Sequence, residues 1–361
     1  MRLERLWLRD FRSYEQAEVS LAPGLTAVLG DNGQGKTNLL EAVAWLASTA
    51  SFRGAPNEAL VRAGTPHAVV RAEGHVEQRA VLVEAQIVTA GRNRVLVNRQ
   101  PLKRAKDLLG VLRVTVFSPD DLELVKGGPA LRRGYLDGVL VALHPRNDAL
   151  QGEVERVLRQ RNALLKQAGG RATDDVVTTL EVWDAKLAQA GDELAGARRE
   201  VLERLGPLVD GTYDAVAGRP GEVTATYLSA YEATGLAEAL AAARGDDLRR
   251  GVSTVGPHRD EVELRIAGMP ARTHASQGEQ RSLSLALRLA SHQLVTERTG
   301  TSPVLLLDDV FSELDPDRAD ALLANLPPGQ ALLTSAGGLP PRARPERILR
   351  VAGGTIDVAS S

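Results

Sequence analysis

The sequence predicts an α/β fold whose core is assembled from both ends of the chain and interrupted by a helical segment. Three observations favour this fold. Residues 1–118 contain short apolar or alternating runs separated by turn residues, a pattern typical of strands. Residues 119–251 carry long segments with helical periodicity, and residues 252–361 return to buried strands followed by helices. We therefore expect a head made of 1–118 and 252–361, with 119–251 inserted as a helical arm domain.

The first segment is predicted to be rich in strands and to contain one strong helix. "RLERLWL" and "LTAVLG" are expected to be strands, and a further buried strand is expected at 111–119. Between them, "HAVVRAEGHV", "RAVLVEAQIV" and "NRVLVN" follow one another around residues 66–100. These runs predict an antiparallel β subdomain that lies against the core.

The stretch "GDNGQGKTNLLEA" connects a predicted strand to a predicted helix. Its glycines allow a tight turn whose backbone N–H groups converge on phosphate oxygens. Lys36 is suited to the terminal phosphates and Thr37 to Mg²⁺. The spacing G-x-x-x-x-G-K-T is complete, which predicts a nucleoside triphosphate bound with Mg²⁺. The expected binding residues are Gly30, Asp31, Asn32, Gly33, Gln34, Gly35, Lys36 and Thr37.

Two consecutive helices are expected in the middle segment, with lengths of roughly 20 and 29 residues. The first places Leu150, Val154, Val157, Leu158, Arg161 and Leu165 on one face. The second carries a coiled-coil-like seam of Leu180, Trp183, Leu187, Ala190, Leu194, Ala197 and Val201. The polar turn "AGGRATDD" would join them into an antiparallel hairpin, and a plain helical insert without a role is the alternative. "EVTATYL" is expected to form a strand and "GLAEALAAARGDDLRR" another helix.

Two carboxylates end the buried strand "VLLLDD" near the C-terminus. Asp308 is placed to hold Mg²⁺ alongside Thr37, and Asp309 to polarise an attacking water. An acidic pair that only caps the next element is the alternative. Asp315 in "SELD" can cap the following helix, with Pro316 at its first position, or it can have a functional role.

A second anion site is predicted in "ASQGEQRSLSLALRLASHQL". Leu283, Leu287, Ala290 and Leu294 share a face, so a helix is expected to begin near Glu279. Ser276 and Gly278 precede it and supply a hydroxyl, flexible backbone and a helix N-terminus. Such a group is equally a helix cap, but its place just upstream of the carboxylate strand favours anion binding. In "FRSY", Arg12 is a further candidate phosphate contact.

The composition excludes several classes of site. The chain has no cysteine, so disulfides and cysteine-based zinc sites or catalysis are excluded, and its six histidines show no zinc-binding spacing. Aromatic residues make up 3% and the net charge is −2, so nucleic-acid binding would need a local basic patch rather than a stacking platform. The sequence shows no signal peptide and no membrane-spanning run, which predicts a cytoplasmic protein without a membrane partner. The tail after "VAGG" is expected to fray.

The order of these motifs resembles the ABC-type ATPases of DNA maintenance. The set "FRSY", "GDNGQGKTNLLEA", "VFSPDDLELVKGGPALRR", "STVGPHRDE", "SQGEQR" and "LLLDDVFSELD" is similar to the bacterial RecF family over essentially the whole chain. The resemblance implies an ABC-type P-loop head that uses ATP and Mg²⁺. It also implies that Ser276 and Gly278 bind the nucleotide of a second subunit, that Asp315 lies in the dimer-interface loop, and that Arg12 matches an arginine loop.

The sequence departs from that superfamily in two places. Its usual catalytic glutamate is here Asp309, which is one methylene shorter and consistent with slow turnover. Its switch histidine is missing, since "LLTSA" offers only Thr334 or Ser335. With these departures, Asp309 and Lys36 remain the expected catalytic residues.

The resemblance implies a weak, DNA-stimulated ATPase that serves as a switch in recombinational repair, replication restart and SOS induction. The implied partners are DNA, including gapped or junction DNA, an ATP-dependent second copy of the chain, RecR and, in the pathway, RecO and RecA. The ATPase subunit of a membrane transporter is the alternative, and a metabolic kinase would leave the "SQGEQ" signature unexplained. Five arginines are candidate DNA-backbone contacts: Arg132, Arg133, Arg156, Arg159 and Arg161.

Overall fold

The computed structural model describes residues 2–76 and 78–358, which form two compact units. The first unit comprises 2–121, 214–219 and 285–358, and the second comprises 122–213 and 220–284. The boundaries proposed from the sequence, at 118 and 251, differ from these and stay a prediction about domains.

The strands are spread along the whole chain. They are β1 (Arg2–Phe11), β2 (Tyr14–Ser20), β3 (Leu25–Leu29), β4 (His67–Val76), β5 (Arg79–Val88), β6 (Arg94–Val97), β7 (Gln100–Pro101), β8 (Val114–Phe117), β9 (Thr224–Leu228), β10 (Glu261–Ile266), β11 (Met269–Pro270), β12 (Val304–Asp308), β13 (Ala331–Ser335), β14 (Arg347–Ala352) and β15 (Thr355–Val358).

The helices are longest in the middle of the chain. They are α1 (Lys36–Ser48), α2 (Asn57–Leu60), α3 (Glu123–Lys126), α4 (Pro129–Leu143), α5 (Asp148–Ala168), α6 (Asp174–Ala217), α7 (Leu236–Arg250), α8 (Ala271–His274), α9 (Gln277–Thr299) and α10 (Pro316–Ala324). Short 3-10 turns lie at Ala105–Leu108, Pro119–Leu122, Pro145–Asn147 and Val310–Glu313.

The first unit contains two sheets. One is antiparallel, in the order β2-β1-β4-β5-β6-β7, and includes the predicted strands around 66–100. The other has the order β15-β14-β3-β13-β12-β8, in which β14, β3, β13, β12 and β8 run parallel. Strands from both ends of the chain therefore complete one sheet, as the sequence predicts.

Both faces of the parallel sheet are covered, which explains why "VLLLD" is apolar without alternation. Val304 and Leu306 belong to a core cluster shared with α1 and the antiparallel sheet. Leu305 and Leu307, on the opposite face, belong to a cluster that includes residues of α9 and α10. The carboxyl ends of β3 and β12 carry the phosphate loop and the carboxylate pair, so this packing fixes the two halves of the candidate site at one sheet edge.

The second unit contains the predicted helix pair. Helix α5 has 21 residues and α6 has 44, so α6 continues through Pro207 well beyond the expected 29 residues. Arg161 of α5 pairs with Asp184 of α6 at 2.7 Å across the short connection, which makes the two helices an antiparallel hairpin. In the predicted seam of α6, Leu180, Leu187, Leu194 and Val201 are buried and the other three residues are half-buried.

The remaining elements of the second unit include a three-stranded sheet in the order β11-β10-β9. The predicted strand "EVTATYL" and the predicted helix after it are present as β9 and α7. Helix α4 was not predicted, although Gly128 and Pro129 at its start are typical of a helix N-terminus. Buried arginines bind carboxylates within this unit: Arg198 donates to both oxygens of Asp137 at 2.7 Å.

The expectation that the tail frays after "VAGG" is wrong for residues 355–358. They form β15, which pairs antiparallel with β14. The two strands turn at Gly353 and Gly354, whose φ values of 55° and 78° suit glycine. Residues 359–361 lie outside the described part of the chain.

Candidate nucleotide site

The phosphate loop lies between β3 and α1, as the sequence predicts. Gly30, Gly33 and Gly35 have φ values of 157°, 78° and 115°, a backbone conformation that only glycine adopts without strain. Helix α1 begins at Lys36, so its N-terminus points into the loop. The Lys36 ammonium donates to the carbonyl oxygens of Gly30 at 2.7 Å and Asp31 at 2.8 Å. The loop is thus shaped for phosphate, with its lysine already held inside.

The carboxylate pair meets the loop at the end of β12. The Thr37 hydroxyl donates to Asp308 Oδ1 at 2.8 Å, and the Thr334 hydroxyl donates to the same oxygen at 2.8 Å. Thr334 Oγ1 also accepts from the backbone N–H of Asp309 at 2.9 Å. Thr334, one of the two residues offered in place of the missing switch histidine, therefore links both carboxylate residues, a role that the sequence did not reveal.

Asp309 is held in an unusual conformation. Its backbone is left-handed, with φ 49° and ψ 26°, a strained state for a non-glycine residue. Its side-chain Oδ1 is buried and has no hydrogen-bond partner in the described part of the chain. Native buried acceptors are almost always paired, so this oxygen indicates a place for a water or ligand.

Asp308 lies in a desolvated position, 6% exposed. Burial raises the pKa of this carboxyl, and the neighbouring charge of Asp309 acts in the same direction. The hydrogen bonds from Thr334 and Thr37 oppose the increase, as does the positive charge of Arg53. A hydroxyl beside a buried carboxylate supplies hard oxygen ligands of the kind Mg²⁺ takes in nucleotide sites, where phosphates and water complete its shell. Thr37 and Asp308 therefore fit the ion.

The "FRSY" turn braces the loop. The Tyr14 hydroxyl donates to the Gly35 carbonyl at 2.8 Å, and the Asn38 amide donates to Ser13 Oγ at 3.0 Å. A Cβ on Gly35 would lie 2.8 Å from Ser13 Oγ, so glycine is needed there for close approach as well as for its φ. The motif's tyrosine and serine thus position the loop backbone.

The β14–β15 hairpin braces the opposite side. The Gly353 N–H donates to Gln34 Oε1 at 2.6 Å, across 319 residues of sequence. A Cβ on Gly30 would lie 2.2 Å from the Val351 carbonyl oxygen, and one on Gly354 would lie 2.6 Å from the Ser13 carbonyl oxygen. Gln34 was predicted as a nucleotide-binding residue, and in this structure its side chain fastens the loop to the hairpin.

Known proteins with this sequence pattern identify the family. A family model described as the RecF/RecN/SMC N-terminal domain matches residues 2–330. The chain is 43% identical to the DNA replication and repair protein RecF of Streptomyces avermitilis, with 93% of each chain covered. This chain belongs to the RecF family. It is also 45% identical to the RecF protein of Frankia alni, again with 93% of each covered.

Solved structures confirm the fold class. A RecF structure described as RecF-ATP in the RecFOR pathway matches with a TM-score of 0.92 and 28% identity, covering 99% of this chain and 98% of that one. An Smc head bound to the C-terminal winged-helix domain of ScpA matches with a TM-score of 0.59 at 17% identity, which bears on the fold alone. The chain therefore has the ABC-type ATPase head fold expected from its motifs.

Arg12, the predicted phosphate contact, is engaged elsewhere in this structure. Its Nε and Nη2 donate to the two carboxylate oxygens of Glu41 on α1, both at 2.8 Å, and its Nη1 donates to the Ala59 carbonyl at 2.8 Å. Glu41 is 0% exposed and also accepts from the Ser51 hydroxyl. The phosphate role of Arg12 stays a prediction, and it would require these bonds to be exchanged.

Arg53 was missed by the sequence analysis. It follows α1, it is exposed, and its guanidinium has no hydrogen-bond or ion-pair partner among the described residues. Its charge nevertheless reaches Asp308 and favours the ionised carboxylate. "SFRG" carries no phosphate-binding spacing of its own, so only the folded chain indicates its proximity to the site.

Ser276 and Gly278 lie at the start of α9, in the second unit. Ser276 Oγ accepts from the Glu279 N–H at 3.3 Å, and Glu279 Oε2 accepts from the Ser276 N–H at 2.8 Å. This is a capping box, so the helix-cap alternative describes the bonds that Ser276 makes here. Asp315 likewise caps α10, accepting from the Arg318 N–H at 2.9 Å, with Pro316 first in the helix. Signature and interface roles for these residues stay predictions.

Three of the five candidate DNA-contact arginines are bound to carboxylates. Arg161 is 0% exposed and pairs with Asp184 and Asp247, each at 2.7 Å, so its assignment to DNA is wrong. Arg132 is buried against Glu261 at 2.9 Å. Arg156 pairs with Glu153 on the surface of α5. Arg133 and Arg159 remain as candidates.

Proposed function

We propose that this RecF-family chain is an ATP-driven DNA-binding switch of recombinational repair. The observation that carries the proposal is the joining of the phosphate loop to the carboxylate pair through Thr37 and Asp308, 2.8 Å apart. Beside them lies the buried Oδ1 of Asp309, which has no hydrogen-bond partner among the residues that the structure describes. Relatives of this chain bear the name DNA replication and repair protein, and one similar structure is described with ATP.

Each residue has a distinct part in the proposed reaction. Lys36 exchanges its bonds to the loop carbonyls for phosphate oxygens and neutralises their charge. Thr37 and Asp308 would hold Mg²⁺, which when bound would neutralise charge on the triphosphate. Asp309 orients and polarises the attacking water through its free oxygen. Arg53 is an additional phosphate contact, because its free guanidinium already lies within electrostatic reach of Asp308.

Slow turnover follows from the shortness of Asp309. An aspartate reaches less far than the glutamate usual at this position, so the water is held less well. A slow ATPase suits a switch, in which the bound state must last. We propose that DNA stimulates this weak activity.

ATP is proposed to join two copies of the chain. Ser276 and Gly278 of one copy would close on the γ-phosphate held by the phosphate loop of the other. ADP lacks that phosphate and would not hold the dimer. The dimer would bind DNA, with a preference for gapped or junction DNA, and hydrolysis would release it.

The proposed setting is the cytoplasm, in replication restart and SOS induction. The similar RecF structure is described as part of the RecFOR pathway, which supports RecR and RecO as partners. Loading of RecA is the outcome that we propose. A transporter ATPase subunit is the weaker candidate, because RecF relatives match over 93% of the chain, including its middle segment. Among the described residues, no helix is both long enough and apolar enough to cross a bilayer.

Light scattering with ATP, with ADP and without nucleotide, each with and without duplex DNA, tests the proposal. The measured mass should double with ATP but not with ADP or without nucleotide. DNA should be retained only when ATP is present. Lys36→Met should lose ATP binding, dimerisation and DNA retention. Lys103→Met, at an exposed position, is the matched control. Dimerisation to the same extent with ATP, with ADP and without nucleotide would contradict the switch. Unchanged ATP affinity in Lys36→Met would contradict the proposed role of the lysine.

A further inference from the structure

The "GPHRDE" motif at 256–261 takes no part in the nucleotide site described above. It connects α7 to β10 in the second unit. The Ser253 carbonyl accepts from His258 Nε2 at 3.1 Å and from Arg259 Nη2 at 3.2 Å. The histidine therefore fixes the carbonyl that orients the exposed Arg259 side chain.

Asp260 of the same motif is a buried carboxylate surrounded by cations and tyrosines. Its Oδ2 accepts from the hydroxyls of Tyr227 and Tyr231, each at 2.6 Å. Arg133 of α4 donates to its backbone carbonyl at 2.6 Å. Arg199 of α6 lies over the Tyr227 ring, 5.5 Å from the ring centre. Arg133, Arg199 and Arg259 thus converge on one motif, and we call these three residues the arginine cluster.

The arginine cluster differs from the buried arginines beside it. Arg132 and Arg198, immediate sequence neighbours of two cluster members, pair with Glu261 at 2.9 Å and Asp137 at 2.7 Å. No described carboxylate lies within ion-pair distance of a cluster member, although Arg259 is exposed and the other two are half-exposed. The fold therefore pairs the guanidiniums that it buries and leaves three accessible cations together, on a chain whose net charge is −2.

Like charges held together favour an anionic ligand. Burial lowers the pKa of Arg133 and the nearby charge of Arg198 lowers it further, while the charges of Asp260 and Glu261 oppose the decrease. Burial also lowers the pKa of His258, and the charges of Arg259 and Arg133 contribute, so His258 stays neutral at pH 7 and serves to position its neighbours. An anion at the cluster would supply the ion-pair partner that no described carboxylate provides there.

We infer that Arg133, Arg199 and Arg259 form a contact surface for the phosphate backbone of duplex DNA. This inference rests on the proposed function and specifies where the second unit meets DNA. Guanidinium groups suit phosphate because their planar donors bind two oxygens at once. Backbone contact also agrees with the 3% aromatic content, which provides few side chains for base stacking.

The test is DNA binding as a function of salt, with a fluorescent duplex and ATP. Arg199→Gln/Arg259→Gln removes two charges, and Arg259→Glu reverses the most exposed one. Each lost phosphate contact should reduce the slope of log affinity against log salt by about 0.9. Arg171→Gln, at an exposed arginine of the same unit, is the control and should leave the slope unchanged. ATP-dependent dimerisation, followed by light scattering, should be normal in all variants.

The outcomes separate this inference from the proposed function. The surface is supported if the wild type binds DNA and the slope of log affinity against log salt is reduced in the cluster variants but not in the control. Wild-type binding with unchanged slopes in normally dimerising cluster variants overturns the surface and leaves the switch intact. Absence of ATP-dependent binding by the wild type itself overturns both.

Discussion

Thr334 connects the two carboxylate residues at the end of β12. Its hydroxyl donates to Asp308 and accepts from the Asp309 N–H. Replacing it by valine leaves that N–H unsatisfied and removes one of the two hydroxyls that favour ionised Asp308. Unsatisfied groups of this kind cost about 1–3 kcal/mol.

We therefore expect Thr334→Val to lose about 1–3 kcal/mol of stability and to need more Mg²⁺ for ATP hydrolysis. Thermal unfolding and a Mg²⁺ titration of the ATPase measure the two effects. Thr334→Ser keeps the hydroxyl and should behave like the wild type. A valine variant with a normal Mg²⁺ requirement would show that Thr334 only packs.

His292 of α9 is a buried neutral group with a predictable effect on stability. Its ring nitrogens bond Thr115 Oγ1 at 3.1 Å and Ser302 Oγ at 2.9 Å. Burial lowers its pKa from 6.5 to about 4. Between these values the unfolded chain binds a proton that the folded chain does not, so stability falls as pH falls, by up to about 3 kcal/mol.

The measurement is the free energy of unfolding from pH 7 to pH 4, in the wild type and in His292→Gln. The glutamine keeps polar atoms toward both hydroxyls but does not titrate. The difference between the two proteins isolates the histidine from other titrating groups. As pH falls through 6.5 toward 4, the wild type should lose more free energy of unfolding than the variant. A difference that does not depend on pH would refute the lowered pKa of His292.

At the scale of elements, the chain predicts what is local. The phosphate loop, the buried strand "VLLLD" and the β4–β5–β6 strands follow from spacing and periodicity within short windows. Helix α6 exceeds the expected 29 residues because it continues through Pro207, a residue that ordinarily interrupts a helix. The partners of Arg12 and Gln34 could not be found, since Glu41 and Gly353 lie 29 and 319 residues away. Nothing in a single sequence states which distant side chain or backbone group a given side chain will contact.

The clip between Gln34 and Gly353 makes the β14–β15 hairpin a wall of the phosphate loop. Gln34→Met keeps the length of the side chain but cannot accept the 2.6 Å bond from Gly353. We expect ATP to dissociate faster from this variant. The rate at which bound ATP is hydrolysed should stay close to normal. Stopped-flow displacement of a fluorescent ATP analogue and single-turnover hydrolysis separate the two. Gln100→Met, at an exposed position in β7, is the control. Equal rates of ATP dissociation from the variant and the wild type would show that the Gln34–Gly353 hydrogen bond contributes to folding but not to ATP retention.

At the scale of the whole molecule, the proposed nucleotide site is predicted to need two copies of the chain. Ser276 carries a capping box and lies in a different compact unit from the phosphate loop. Ser276→Arg should still bind one ATP per chain but fail to dimerise, hydrolyse ATP or retain DNA. Ser276→Ala, which loses the cap without adding bulk, costs about 1 kcal/mol and controls for destabilisation.

Mixing Ser276→Arg with Lys36→Met gives the decisive measurement. If signature and loop act between copies, the mixed dimer has one composite site with both wild-type halves, and part of the ATPase returns. If they act within one copy, each chain carries its own defect and mixing restores no ATPase activity. No recovered activity, in a sample where mixed dimers are shown to form, would rule out the shared site.

The order of strands in the parallel sheet also determines when, during synthesis of the chain, the sheet around the phosphate loop can form. β3 carries the phosphate loop, yet its two neighbours, β13 and β14, are synthesised some 300 residues later. Asp308 and Gly353, which complete and fasten the loop, are equally late in the chain. A ribosome-bound chain that ends before them has the glycines and Lys36 but lacks the parallel sheet that holds them. ATP can stabilise only a state that binds it, so it cannot assist the early stages of folding. Chains cut short before β12 lack Asp308 and both neighbours of β3, so they will gain nothing from the nucleotide and will be left to chaperones and proteases.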